Sequence, residues 1–412
     1  MATPKKILTR SILAASPRLS LRPEEAGAQT SPNLRVIFVV ATLSTYSGLS
    51  RNVLRIARRC QQLGAQVIVL VARVRGPRPT GLSMEVLPIR SWTNHGFNAK
   101  FARRVQAWQK RKGFDCVVSS MPMPGLDVYY AGNPCFVADA RHKSACYAYT
   151  PRFRQYRKQE STVFKKGAST DILLIAHDQQ KWFEQHYDTE AHRFHCLPPG
   201  IDRSRLAPCC NGPKLRDKTR KALDFDEDTF VVLMMGSSFQ TKGVDRGLYA
   251  IASLNGLQRK CTKMVVVGGG DINRYQRLAW RLGIPNQIHF VGPQQQVAAY
   301  YAAADLLLHP ARRENTGGVL IEAMFCGLPV LTSEACGYAY HIRKAKAGMI
   351  CSLPFRQSQL NWHLVEMMNS AKLKNWQQNA IAYTKDQDLY SLVDRSADII
   401  MMRARLNRMA GQ

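Results

Sequence analysis

Acidic residues are scarce. Only 29 Asp and Glu stand against 58 Lys and Arg in 412 residues, giving a formal net charge of +29. A chain this basic is expected to meet a polyanion: nucleic acid, an anionic membrane surface or a phosphorylated substrate. No apolar stretch approaches the roughly 20 residues needed to cross a bilayer. VIFVVATL has only the length of a buried strand. Residues 1–32 mix Lys, Arg, Ser and Pro without periodicity, and ILTRSILAASP lacks the continuous apolar centre of a signal peptide. That stretch reads as a flexible basic extension. The 11 cysteines include no C-x-x-C pair. The adjacent Cys209 and Cys210 suit neither a zinc site nor a disulfide ladder, so reduced cytosolic thiols are expected. The histidines show no metal-ligand spacing.

The length exceeds one ordinary core, and two domains of roughly 150–200 residues are expected. NLRVIFVVATL reads as a buried strand. A turn follows, then a helix with apolar positions at helical spacing, a stop at Gly64 and the second strand, AQVIVLVARV. This β-turn-α-β unit marks a parallel sheet. FDCVVSSMPMPGLDVYYAG reads as one strand followed by a Pro/Gly loop. HCLPPGIDRSRL, with Pro198, Pro199 and Gly200, interrupts the rhythm and is the linker candidate. A second βα series runs through TFVVLMMGSS, KMVVVGGGD, QIHFVG, ADLLLHP and LPVLTS. The fold class is therefore α/β, with two Rossmann-like domains facing a central cleft. Residues 33–200 would form the first domain and 201–385 the second. A C-terminal helical segment, 386–412, would cross back to the first. Ligands bind such sheets at the carboxyl ends of their strands.

Several stretches carry the candidate chemistry. In RRENTGGVLIEAM, Asn315 or Thr316 is placed to cap a helix, and Gly317 and Gly318 would let its first turn approach a ligand. Free N–H groups there favour phosphate oxygens. Glu314 falls in the preceding loop. Glu322 lies inside the apolar run VLIEAMF, where an idle charge is costly. MMGSSFQTKGVDR brings Lys242 to a strand end but fails as a P-loop, because Thr241 and Gly243 flank the lysine. TYSGLSRN supplies a turn at Gly48 and an amide at Asn52. LDFDEDTFVV contains D-x-D spacings at Asp224, Asp226 and Asp228. It precedes a strand's amino end, so it reads as a solvated acidic turn. Gly268–Gly270 leave a strand at the ligand edge without a dinucleotide fingerprint, and His309 reads as a structural residue at a strand end. TPRFRQYRKQE interleaves Arg and Lys with aromatic residues, a mixture suited to single-stranded nucleic acid or to an anionic membrane surface.

The E-x7-E spacing of Glu314 and Glu322, followed by CGLPVLTSEACGYAYHI, resembles the retaining GT-B glycosyltransferases of family 4. SMPMPGLDVYYAG, RFHCLPPGI, GSSFQTKGVDR, AADLLLHPA and CGYAYHI look most like the members that add glucose to the lipopolysaccharide core. The resemblance extends from about Asn33 to the end of DLYSLVDRSADII. It implies transfer of a hexose, glucose first, from a UDP-sugar to the heptose inner core of lipopolysaccharide. No metal or other cofactor and no nucleic acid is implied. Lys242 and Glu314 would be catalytic, and Lys242 would stabilise the departing diphosphate. The donor would be held by Thr241, Lys242, Glu314, Asn315, Gly317, Gly318, Val319 and Glu322. Gly48 and Asn52 would face it from the first domain. Two departures stand out: Thr241 replaces the family's usual Arg, and Asn52 stands where the core glucosyltransferases have Asp. They leave room for another donor, such as a UDP-N-acetylhexosamine, or for a weakly catalytic saccharide-binding protein. With a lipid-linked acceptor, the implied location is the cytoplasmic face of the bacterial inner membrane, held peripherally.

Overall fold

The computed structural model describes residues 34–44, 47–141 and 143–411; the basic extension 1–32 lies outside the described residues. The first sheet contains β1 (Arg35–Ser44), β2 (Gln66–Arg75), β3 (Ser83–Val86) and β4 (Cys116–Ser119). It continues with β5 (Val128–Ala131), β6 (Asp171–Leu174) and β7 (Phe194–Cys196). The second contains β8 (Phe230–Met235), β9 (Thr262–Val267), β10 (Ile288–Gly292), β11 (Leu306–His309), β12 (Val330–Ser333) and β13 (Gly348–Cys351). Their orders are β3-β2-β1-β4-β5-β6-β7 and β10-β9-β8-β11-β12-β13. Both follow the doubly wound 3-2-1-4-5-6 pattern, so each has a crevice where the winding reverses: between β1 and β4, and between β8 and β11. The expected pair of Rossmann-like domains is present.

Burial explains the strands. Val36, Phe38 and Val40 of β1 enter one core while Ile37 and Val39 enter the core on the opposite face. Val231, Leu233 and Met235 of β8 are divided in the same way from Val232 and Met234. A parallel strand covered on both faces needs an unbroken apolar run, which made these elements readable. FDCVVSSMPMPGLDVYYAG is corrected: it forms two strands, β4 and β5. The four residues of β5 are all buried, and the Pro124–Gly125 turn separates them from β4. The short edge strand β3 was also missed, since its residues are half-buried or exposed and carry little apolar signal.

The final helix, Leu392–Ala410, packs beside the first sheet. Leu392, Ala397, Ile400 and Ala404 share a core with β1 and with the helix Gly48–Gln62. Polar ties reinforce it. The Arg403 Nε–H donates to Asp171 at 2.7 Å, and Asn407 donates to Asp127 at 2.8 Å. Arg59 pairs with Asp394 at 2.7 Å. Gly200, in the linker, turns with φ 74° directly against Leu392, where a Cβ would collide with the leucine side chain.

Candidate active site in the cleft between the sheets

A cavity of about 680 Å³ opens where the carboxyl ends of the two sheets face each other. Gly48 and Asn52 line it from the loop and helix after β1, and Gly132 lines it after β5. Opposite them stand Lys242 after β8, Gly268 and Gly269 after β9, and Pro293 to Gln295 after β10. The segment Glu314–Val319, after β11, and Glu322 complete that wall. The structure thus brings together nine of the ten sequence-predicted site residues. Thr241 is the exception. It is half-buried outside the lining; its hydroxyl meets Ser238 at 2.9 Å and its carbonyl accepts from the Arg312 N–H at 2.8 Å.

Lys242 ends a single helical turn, Phe239–Lys242, and its ammonium pairs with the Glu314 carboxylate. Both side chains are largely buried. Burial pulls the lysine below its ordinary pKa. His309, fully buried beneath them, reaches within 3.7 Å of the same Glu314 oxygen. Burial, aided by the Lys242 charge, pushes its pKa down to about 3, so the ring is neutral at physiological pH. Neither ring nitrogen has a hydrogen-bond partner among the described residues.

The helix Gly318–Phe325 begins without a side-chain cap. Here the expectation for Asn315 and Thr316 is corrected. The Asn315 amide instead reaches across the cleft and donates to the Gly132 carbonyl at 3.1 Å. The Thr316 carbonyl accepts from the Tyr338 N–H at 2.7 Å. Gly317 takes the N-cap place at φ 91°, and a Cβ there would run into the Cys336 thiol. The N–H groups of Gly318 and Val319 keep no hydrogen-bond partner among the described residues. An uncapped helix start of this kind attracts anionic oxygens.

Glu322 lies one turn further along. One carboxylate oxygen accepts from Arg205 at 2.9 Å and the other from the Tyr301 hydroxyl at 2.8 Å. Its charge is therefore neither idle nor merely solvated. The remaining lone pairs can accept from a ligand hydroxyl. Arg51 and Arg55 add two cations from the first sheet's side of the cleft. Burial, then the neighbouring Arg205 charge, lowers the Arg51 pKa. Arg51, Arg205 and Tyr301 carry no periodic or spacing signal; only the close approach of distant segments makes them site residues. The Asn52 amide donates to the Tyr130 hydroxyl at 3.1 Å.

The remaining candidates lie elsewhere. Asp224, Asp226 and Asp228 precede the amino end of β8, on the sheet edge away from the cleft. No group of three or more His, Cys, Asp or Glu among the described residues is arranged to hold a metal ion. TPRFRQYRKQE falls on the helix Pro151–Phe164, outside the cleft lining. Arg152, Arg154, Arg157 and Lys158 are exposed there. Phe153 and Tyr156 turn inward to pack on Phe136, and the cations lie on the exposed face. No helix among the described residues is long and apolar enough to cross a membrane.

Comparison with known proteins agrees with this arrangement. The family glycosyl transferases group 1 matches residues 216–383, and glycosyltransferase family 4 matches residues 46–205. The lipopolysaccharide glucosyltransferase WaaG of Escherichia coli K12 is 39% identical over 369 residues, covering 89% of this chain and 98% of the relative. A D-inositol 3-phosphate glycosyltransferase of Corynebacterium jeikeium is 28% identical over 192 residues, 44% of this chain and 45% of that one. The crystal structure of WaaG, a glycosyltransferase involved in lipopolysaccharide biosynthesis, has a TM-score of 0.85 at 38% identity, covering 89% of this chain and 99% of that one. HepE of Anabaena in complex with UDP-glucose shares the fold at a TM-score of 0.70 and 17% identity, over 90% and 99% of the two chains. With a relative at 39% identity matched over nearly its whole length, this chain belongs to the group 1, family 4 glycosyltransferases.

Proposed function

We propose that this chain transfers glucose, with retention, from UDP-glucose to the heptose inner core of lipopolysaccharide. One observation carries the proposal: Lys242 and the uncapped start of the Gly318–Phe325 helix meet in the cleft beside Glu314. The substrates follow from the similarity to the lipopolysaccharide glucosyltransferase of Escherichia coli.

As the glycosidic bond breaks, the departing UDP gains negative charge. Lys242 and the Gly318 and Val319 N–H groups would stabilise that charge. Glu322, held by Arg205 and Tyr301, would accept from the ribose hydroxyls, and Glu314 would keep Lys242 in place beside the reacting sugar. Asn52, an amide, cannot take up the acceptor's proton. The acceptor hydroxyl would attack on the face that UDP leaves and give its proton to the departing phosphate oxygen. Residues 33–200 would form the acceptor side and 201–385 the donor side. No metal is invoked, since the lysine and the helix start supply positive charge to the diphosphate.

The exposed cations of the helix Pro151–Phe164 would hold the protein against anionic lipid at the inner face of the bacterial inner membrane, where a lipid-linked acceptor lies. A panel of UDP-sugars tests the donor. UDP-glucose should protect against thermal unfolding, and UDP should be released when lipopolysaccharide acceptor is added. Stronger protection and turnover with UDP-N-acetylhexosamine would reassign the donor. Saccharide binding without UDP release from any donor would refute transfer.

A further inference from the structure

A second cavity, of about 260 Å³, opens beyond the Glu314 end of the cleft. Its walls come from the segments after β6 and β12, and it shares Ile175 and Tyr338 with the main cleft. The Tyr338 hydroxyl donates to the Ile175 carbonyl at 3.2 Å and ties the two walls together. Tyr340, Asp178 and His177 supply the remaining chemistry.

These three groups form a defined set. Tyr340 is 44% exposed. Its ring lies against His341, with centroids 4.0 Å apart. His341 is itself fixed by a 2.7 Å hydrogen bond to the Tyr383 hydroxyl. The result is a backed aromatic plate with one open face. Asp178 is exposed, and among the described residues its carboxylate accepts only from neighbouring Gln179, at 3.4 Å. Asp178 and Tyr340 line the same cavity, and burial, then the Asp178 charge, raises the Tyr340 pKa. His177 Nε2 lies 3.2 Å from the Leu197 carbonyl. A carbonyl only accepts, so Nε2 is the donor in this contact. An aromatic face with a carboxylate beside it suits a ligand with a flat C–H face and a rim of hydroxyl donors. Among the described residues no Lys or Arg lines the cavity, which disfavours a phosphate. The volume falls below the roughly 300 Å³ at which pockets for drug-sized molecules begin, enough for one ring.

The order of strands places this cavity relative to the reaction. Along the second sheet the cleft lining runs from Pro293–Gln295 after β10, through Gly268 after β9 and Lys242 after β8, to Glu314 after β11. The second cavity follows at β12. With the diphosphate at Lys242, the Gly-rich β9–β10 end is left for the nucleoside, and the β12 end lies beyond the transferred sugar.

We propose that this cavity is an acceptor subsite for a neutral pyranose ring adjoining the sugar that is glucosylated, with Tyr340 stacking on it and Asp178 accepting from its hydroxyls. The inference rests on the glycosyl-transfer reading above, and the test separates the two. Deacylated inner-core oligosaccharide and free heptose are titrated calorimetrically into the protein without donor; UDP-glucose is titrated in a parallel series. The oligosaccharide should bind more tightly than free heptose. Tyr340→Ala and Asp178→Asn should each weaken oligosaccharide binding about tenfold, with heptose binding unchanged. Tyr340→Phe, which keeps the ring, should bind like the parent. Unchanged UDP-glucose affinity in the variants shows that they are folded. Oligosaccharide affinity within twofold of the parent in both Tyr340→Ala and Asp178→Asn would overturn the subsite. Failure of the parent to bind UDP-glucose, with the oligosaccharide results as expected, would overturn the donor assignment alone.

Discussion

Replacing Lys242 with Ala should produce two separable defects. The first is kinetic. Removing one preorganised charge from the departing group typically costs about 10²–10³ in rate, or roughly 3–4 kcal/mol of transition-state stabilisation. The second is structural. The side chains of Lys242 and Glu314 are only 18% and 16% exposed, so deleting the lysine strands a carboxylate in a poorly solvated place. His309 is neutral in the parent, where burial and then the Lys242 charge hold its pKa near 3. Breaking one side of a buried pair costs about 3–5 kcal/mol, which for a domain of this size lowers Tm by roughly 10 °C. The double variant Lys242→Ala/Glu314→Gln removes the stranded charge as well. It should recover most of the lost Tm and none of the lost turnover. Differential scanning fluorimetry and UDP-release kinetics read the two quantities independently. Lys242→Ala turnover within twofold of the parent would remove the lysine from the reaction. A double variant no more stable than Lys242→Ala would refute the charge-pair account of the stability loss.

Further outcomes follow from other parts of the structure. Glu322→Ala should raise the KM for UDP-glucose and lower turnover by loss of a hydroxyl contact; kinetics within twofold of the parent would exclude Glu322 from the donor site. Activity should survive EDTA, because Lys242 and the helix start stand where a metal's charge would otherwise act; complete loss restored by magnesium or manganese would refute this. His341, held near pKa 4 chiefly by burial, is neutral when folded and binds a proton more readily when unfolded, with an ordinary value of 6.5. Its contribution is complete above pH 6.5 and is lost as pH falls toward 4, at up to about 1.4 kcal/mol per pH unit. His341→Gln should therefore flatten the fall in Tm over that interval, and an unchanged slope would refute the assignment. Finally, the protein should sediment with anionic vesicles at low salt and leave them at high salt. Replacing Arg152, Arg154, Arg157 and Lys158 with Gln should weaken this attachment without changing UDP-glucose binding. Equal sedimentation with neutral vesicles at every salt concentration would count against electrostatic attachment.

The elements most legible in the sequence were those with the simplest environment. β1 and β8 are covered on both faces, so their apolar runs are continuous. β5 was missed because its four buried residues follow a Pro-Gly turn and look like the tail of a loop. Glu322 attracted notice because a charge inside an apolar helix needs a partner. The partner could not be named from spacing, since Arg205 lies 117 residues earlier and meets it only through the fold. Asn315 illustrates the opposite difficulty. Local preference makes it a helix cap, yet the approach of the first sheet offers it the Gly132 carbonyl instead. Local rules located the cleft's loops; the side-chain partners within it depend on how the two sheets meet.

The returning C-terminal helix has a consequence for synthesis. Strands β1 to β7 are complete by Cys196, but one of the two cores that cover them lacks Leu392, Ile400 and Ala404 until residues 392–404 are made. At about 5–20 residues per second, the interval on the ribosome is on the order of 10–40 s. Throughout it, the nascent first half carries an uncovered apolar strip where that helix will later lie. The half that is translated first is therefore closed last, and a chain ending before Leu392 would keep the strip open to chaperones, proteases and other chains.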